Sequence, residues 1–392
     1  MTMKTLEIFS GAGGLAKGLE IAGFEHSYFV EINKDACESL RKNFYQHYVF
    51  EGDILEFDLN LLEDIDIVAG GPPCQPFSLG GKHKAHQDNR DMFPYAIRCI
   101  ENLQPKAFIF ENVKGLLRDS FSQYFNYIVL RLMYPHCTIC DKESWEIHLK
   151  RLEKLNPMQY RGVHYDVSYK LLNAADYGVP QKRERVVIVG LRSDLDLEWN
   201  FPSATHTEDR LNWDKFVTGE YWEKHNISSR KNIELSKLLK SKYGFFPPEG
   251  APWQTVRDAL LGVPHPKDKH DIPDHIFKGG AKIYPGHTGS EIDQPSKTIK
   301  AGGHGVPGGE NMIRYEDGTV RYFTTYEAKL IQTFPKDFIV AGAWSEAMRQ
   351  IGNAVPVKLA EAIAKQLLAT LQVKQVDKSF QRTINSYAVV SR

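Results

Sequence analysis

"TLEIFSGAGGLAKGLEIAG", residues Thr5–Gly23, decides the architecture. Thr5–Phe9 reads as a strand, the glycines after it as a turn, and "LAKGLEIAG" as a helix with helical apolar spacing that ends at Gly23. The alternation then repeats. "HSYFVEI" is a second strand and "KDACESLRKNF" a helix; "DIDIVAG" is a third strand, "MFPYAIRCIENL" a helix, and "KAFIFENV" a fourth strand ending in polar residues. Strands alternating with helices predict an α/β fold, a doubly wound, mostly parallel sheet. Such sheets bind ligands at the carboxyl ends of their strands. "FSGAGG", "VEI", "EGD", "GGPPCQPFS" and "FENV" all fall at or after strand ends, so they converge on one edge.

The composition sets the class. The chain has 392 residues, 42% hydrophobic and 25% charged, as in a globular protein large enough for two domains. No apolar run approaches the roughly 18 residues of a membrane span, and "MTMKTLEIF" lacks a signal-peptide pattern. Five cysteines in so long a chain make no disulfide framework, which points to a reducing cytoplasm. Lys and Arg together number 49, as do Asp and Glu. A zero balance leaves room for a local basic groove.

Further on the texture changes. A polar, helix-like insertion covers 134–161, and "YDVSYKLLNAADYGVPQKRERVVIVG" returns to strand character. From about Leu191 periodicity fades, and Gly, Pro, His and aromatic residues crowd in. The expected organisation is a domain of residues 1–190 plus 321–372, a smaller loop-rich domain over 191–320, and a polar tail over 373–392.

Two stretches carry chemistry. In "FSGAGGLA" the glycines let a ligand approach the backbone, and the helix N-terminus favours electronegative groups. Glu31 falls 20 residues after Gly11, where a ribose-binding carboxylate is expected, and Asp53 is placed to accept from an adenine amino group. The plain alternative is two solvated carboxylates. In "GGPPCQPFSLGG" (Gly70–Gly81) prolines stiffen the loop around Cys74. A thiol held in such a loop is either an inert core cysteine or a nucleophile. "HCTIC" (His136–Cys140), with His148 and His164, offers an incomplete zinc pattern, and we expect no metal.

Together these motifs resemble those of the cytosine-5 DNA methyltransferases. "EIFSGAGGL" is similar to that family's motif for S-adenosylmethionine, "GGPPCQPFS" to its catalytic loop and "ENV" to the motif that holds the target base. "QKRERVVIVG", "YEAKLIQTFP" and "RQIGNAVPVKLAEAIA" match three more in the family's order. The resemblance implies a methyltransferase fold with a target-recognition domain. It implies that Cys74 attacks cytosine C6, Glu111 serves N3, Arg185 holds O2, and Arg183 positions the loop or a phosphate. By the same resemblance Phe9, Gly11, Ala12, Gly14, Glu31, Ile32, Asp53, Ile54, Pro73, Phe93, Asn353 and Ala354 bind S-adenosylmethionine. Gln75, Ser78, Lys82, Lys84 and Arg90 meet the DNA, and Gly80 and Gly81 are hinges. Two departures stand out: Ile32 is a small adenine wall, and Tyr326 replaces a usual arginine, which puts one structural ion pair in doubt.

The chemistry accounts for the thiol. Cytosine C5 is a weak nucleophile, and addition of a thiolate at C6 makes it enamine-like. A free thiol has pKa about 8.5, so proton delivery to the base must accompany attack. A stacked base is out of reach, which implies base flipping. The expected function is S-adenosylmethionine-dependent C5 methylation of cytosine in a short sequence of double-stranded DNA. The expected setting is a restriction-modification system, with a monomeric enzyme beside a cognate restriction endonuclease and no membrane partner. The alternatives are an RNA cytosine-5 methyltransferase, a nucleotide-dependent oxidoreductase resting on the glycine turn alone, and a non-catalytic DNA-binding module.

Overall fold

The computed structural model describes residues 2–44, 47–73, 91–301 and 311–372. Cys74, Gln75, Ser78, Lys82, Lys84 and Arg90, with Gly80, Gly81 and the tail over 373–392, lie outside the described residues.

The opening stretch forms strand β1 (Lys4–Ile8) and helix α1 (Gly14–Ala22). The turn between them needs the left-handed region, with Gly11 at φ 54° and Gly13 at φ 85°. Then come β2 (Glu25–Glu31), α2 (Lys34–Asn43), β3 (Tyr48–Glu51), β4 (Ile67–Gly70), α3 (Phe93–Leu103) and β5 (Ala107–Val113). Helices α4 (Ser122–Met133) and α5 (Trp145–Leu152) lead to β6 (Tyr165–Asn173) and β7 (Glu184–Arg192). Asn33 starts α2 by accepting from the Ala36 amide at 2.8 Å.

The seven strands run in the order β3-β2-β1-β4-β5-β7-β6. All neighbours are parallel except β7, which is antiparallel to both β5 and β6. The mostly parallel α/β sheet read from the sequence is therefore present. Strand β3 ends in the "EGD" segment that the sequence places at a strand end, although its four residues carry too little alternation to read as a strand by themselves. The chain winds outward from β1 to β3, then returns to β4 on the other side of β1. Between β1 and β4 lies the switch point where such folds open a crevice. The two strands meet tightly there: a Cβ on Gly70 would stand 2.1 Å from the Ile8 carbonyl oxygen.

The sheet is covered on both faces. Along β5, Phe108 and Phe110 join a core with α3 and α4, while Ala107 and Ile109 join one with α1 and the helix over 357–372. A third core sets Ala16, Phe29 and Leu40 against Val256, Ile299, Ile313 and Phe323. Residues 191–320 hold short strands and turns and the 11-residue helix Ile233–Tyr243. That helix has a readable start, Asn232 accepting from the Leu235 amide, but its apolar residues Ile233 and Leu238 are exposed and blur the period. Among the described residues no helix is long and apolar enough to cross a membrane.

Packing of α1 on the helix over 357–372 is close enough to test. A Cβ on Gly18 would stand 2.4 Å from the Ala360 Cβ and 2.6 Å from the Glu361 nitrogen. Gly18→Ala should cost about 1–3 kcal/mol through overpacking, seen as a lower melting temperature in thermal denaturation. An unchanged melting temperature would contradict this contact.

Candidate active site

A cleft of about 1040 Å³ opens along the carboxyl ends of the strands. Its lining follows the strand order: Gly52 and Asp53 after β3, Glu31 and Ile32 at β2, Glu7 and Phe9 at β1, and Gly71–Pro73 after β4. Glu111 of β5 and Arg185 of β7 complete the row, with Asn353 and Ala354 beside the glycine turn. Gly11, Gly14 and Ile54 also line it. Ala12 and Phe93 do not. Ala12 is buried in the turn, and Phe93 is fully buried with its ring edge-on to Phe110, so it supports the cleft from beneath.

At the β2–β3 end the two singled-out carboxylates also hold backbone. Glu31 accepts from the Gly11 amide at 2.7 Å and the Asn33 amide at 2.8 Å, fastening the glycine turn to the end of β2. Asp53 accepts from the Leu55 amide at 3.0 Å and starts the one-turn helix Ile54–Glu56. Ile32 is 68% exposed at the lip, a low wall as its size implies.

At the β5–β7 end, Arg185 and Glu111 are diagonal neighbours of the antiparallel pair, since Val113 faces Arg185 and Glu111 faces Val187. The Arg185 Nε lies 2.5 Å from the Glu111 Oε1, and each side chain is only 11% exposed. Burial lowers the pKa of Arg185, while Glu111 works against that shift. The next residue, Asn112, donates through Nδ2 to the Pro72 carbonyl at 3.0 Å. The Met92 amide donates to the Pro73 carbonyl at 3.0 Å, and Asp91 accepts from the Phe93 amide and the Tyr124 hydroxyl. These bonds pin the chain on both sides of residues 74–90.

The sequence profile described as C-5 cytosine-specific DNA methylase matches residues 3–134 and 141–369. The chain belongs to the C-5 cytosine-specific DNA methylase family. It is 34% identical over 373 residues to the Type II methyltransferase M.Sau96I of Staphylococcus aureus, covering 92% of this chain and 75% of that one. It is 32% identical over 372 residues to the Type II methyltransferase M.NgoMIV of Neisseria gonorrhoeae, covering 95% and 99%. A crystal structure of a Spodoptera frugiperda DNMT2 mutant shares the fold, with TM-score 0.57, 18% identity and coverage of 94% and 99%. The enzyme is thus a cytosine-5 DNA methyltransferase.

In this methylase Arg183 occupies a different place from the one expected. Its side chain is 0% exposed, closed off from solvent. NH1 donates to the Ile299 carbonyl at 3.0 Å, and NH2 to the Gly352 and Ala354 carbonyls at 2.7 and 3.0 Å. Those last two carbonyls end the helix Trp344–Asn353, where orphan acceptors and the helix dipole favour a cation. Gln332 adds a bond to the Ile351 carbonyl at 2.6 Å. The contrast comes from where the strand begins: Arg183 lies just before β7, in a pocket between Ile299 and the helix Trp344–Asn353, while Arg185 within the strand emerges into the cleft.

The ion pair placed in doubt by Tyr326 is present by another route. Arg321 donates to both oxygens of Glu327, at 2.6 and 2.5 Å, and Glu327 also closes a capping box with Thr324. Tyr326 packs its ring against His275 instead. In the insertion, Cys137 accepts from Arg151 and His148 pairs with the Tyr127 hydroxyl. Among the described residues no three His, Cys, Asp or Glu side chains are grouped to hold a metal ion.

Two methylase residues escaped the sequence reading. Asn112 stands inside "ENV", and Glu7 inside the first strand. An acid within an apolar strand beside the glycine turn was the available signal for Glu7. Its side chain is 1% exposed, and burial pushes its carboxyl up to about 8.

Asn112→Asp removes the donor that holds Pro72 and sets a carboxylate against its carbonyl. Turnover should fall about tenfold or more as the cysteine loop loses its anchor, while binding at the β2–β3 end stays unchanged. Steady-state kinetics beside equilibrium binding of the methyl donor checks this, and unaltered turnover would contradict it.

Proposed function

We propose that this methylase transfers a methyl group from S-adenosylmethionine to C5 of one cytosine within a short sequence of duplex DNA. The observation that carries the reading is the shared edge. A nucleoside-sized cleft with carboxylates at Glu31 and Asp53 runs along the same strand ends to Glu111 and Arg185, through Pro73, the residue before Cys74. When bound, S-adenosylmethionine supplies an electrophilic methyl on a sulfonium.

The chain's own groups do the rest. Cys74 adds its sulfur to cytosine C6, and Glu111, facing N3, supplies the proton that keeps the ring from accumulating charge. Arg185 turns from its pair with Glu111 to hold O2. The electron pair at C5 takes the methyl and leaves a neutral thioether; water then takes the C5 proton, the C6–S bond breaks to release the thiolate, and N3 returns its proton to Glu111. The flipped base costs a few kcal/mol of stacking and pairing, offset by contacts in the pocket and by Gln75, Ser78, Lys82, Lys84 and Arg90 on the DNA. Residues 191–320 carry the side chains that select the sequence, since base-edge contacts specify and phosphate contacts only position.

The Type II names of the relatives support DNA over RNA as the substrate. They also support a restriction-modification setting with a cognate endonuclease in a bacterial cytoplasm. Bisulfite sequencing of DNA from cells expressing the protein should show protected cytosines at one short sequence. Cys74→Ser should erase that protection while leaving S-adenosylmethionine binding within about threefold, because the thiol acts on the base. Turnover by Cys74→Ser within tenfold of the parent would overturn the nucleophile.

A further inference from the structure

The insertion over 134–161 has no part in the reaction described above, yet its helix α5 is packed against the support of the chain that carries the thiol. Asp91 and Tyr124 make that support. Both side chains are buried. The Asp91 carboxylate accepts from the Phe93 amide at 3.2 Å and from the hydroxyl of Tyr124, a residue of α4. A buried carboxylate is costly unless donors reach it, so these bonds fix where Asp91 sits.

We propose that Asp91 and Tyr124 are a positioning pair for Cys74, and that α5 serves the reaction by holding Tyr124 in place. The inference rests on the reading of Cys74 as the nucleophile. The connection is short. The Met92 amide donates to the Pro73 carbonyl at 3.0 Å, so residue 92 is bonded to the residue before Cys74. Met92 stands between Asp91, held by Tyr124, and Phe93, fully buried with its ring edge-on to Phe110. Asn112 holds the Pro72 carbonyl from β5. Two stiff prolines thus carry to Cys74 whatever position β5 and the Asp91–Tyr124 pair impose.

The insertion supplies what keeps Tyr124 still. Trp145, the first residue of α5, sets its ring edge-on to Tyr124 with centroids 5.2 Å apart. The same indole lies 5.7 Å from the ring of Tyr127, one turn further along α4. The Tyr127 hydroxyl is hydrogen-bonded to Nδ1 of the fully buried His148 at 3.0 Å, a second tie between α4 and α5. Helix α5 is itself fastened, because Arg151 donates to both oxygens of Glu143 and to the Thr138 carbonyl. Edge-to-face rings hold a hydroxyl at a fixed position with little loss of side-chain freedom.

Tyr124→Phe removes one hydroxyl and keeps the ring on Trp145, so it breaks the pair without opening the core. A displacement of about 1 Å at a reacting atom can slow a reaction about a hundredfold. The step to watch is formation of the bond between the Cys74 sulfur and cytosine C6. A duplex with 5-fluorocytosine at the methylated position isolates it. The sulfur adds at C6, N3 takes a proton from Glu111, and C5 takes the methyl as before. With fluorine and methyl on C5 there is no proton to lose, so the C6–S bond stays and the covalent complex accumulates.

Single-turnover trapping of that duplex, its sequence taken from bisulfite sequencing, is the test, with S-adenosylmethionine binding recorded alongside. Tyr124→Phe and Asp91→Ala should each slow trapping about tenfold or more, with donor affinity within about twofold of the parent. The double variant should be no slower than the slower single one, because both remove one interaction. Asp91→Asn keeps an oxygen that accepts from the hydroxyl and should trap within about threefold of the parent. Trp145→Leu should slow trapping about threefold or more in the parent and add nothing to Tyr124→Phe. An unchanged rate in Tyr124→Phe, or losses that add in the double variant, would overturn the pair. Donor affinity falling in step with the rate would make the pair merely structural and overturn it as well. Trp145→Leu trapping like the parent would overturn the role of α5. A parent that does not trap, or trapping by Cys74→Ser, would overturn the nucleophile reading instead.

Discussion

A guanidinium with no access to water ties three separate parts of this chain together. Arg183 follows the turn into β7, and its two terminal nitrogens donate to the carbonyls of Ile299, Gly352 and Ala354. Burying that charge is unfavourable by itself, and burial drives the pKa of Arg183 far down. The favourable side is local: carbonyls at the end of a helix have no partners within the helix, and its dipole places partial negative charge there. The consequence is positional. Asn353 and Ala354, which line the cleft beside the glycine turn, are fixed relative to the strand that presents Arg185. Ile299, in the region between β7 and the helix Trp344–Asn353, is fixed to both.

From that constraint the rest of the site follows as a sequence along one edge. Strand order alone separates the β2–β3 end, built from Glu31 and Asp53, from the β5–β7 end, built from Glu111 and Arg185. The short Glu111–Arg185 pair keeps two buried, opposite charges satisfied until a base takes both. Asn112 holds the Pro72 carbonyl from the residue next to Glu111, so the base-binding strand and the cysteine loop are aligned by the same segment.

Much of this was legible in the sequence because it rests on local signals. The glycine turn, the polar end of "FENV" and the proline-framed cysteine each report a backbone or side-chain requirement within a few residues. Glu111, Arg185 and ten of the twelve expected cleft residues line the cleft. What was not legible depends on distant partners. Arg183 reads as a surface charge until the helix ending 170 residues later comes to meet it. The Arg321–Glu327 pair is not legible at Tyr326, because Glu327 finds its cation six residues earlier. Phe93 was placed on the cleft, but the start of α3 turns its ring inward to Phe110. Strand β3 and the helix Ile233–Tyr243 lacked a clean apolar period.

Two arginines two residues apart thus serve different parts of the cleft, Arg183 the helix end beside the glycine turn and Arg185 the β5–β7 end. Equilibrium binding of S-adenosylmethionine to Arg183→Met and Arg185→Ala tests it most directly, with melting temperatures recorded alongside. Arg183→Met should leave the Gly352 carbonyl unpaired, lower the melting temperature and weaken donor binding, whereas Arg185→Ala should bind the donor like the parent and fail only in turnover. Equal loss of donor binding in both variants, or none in Arg183→Met, would contradict the account.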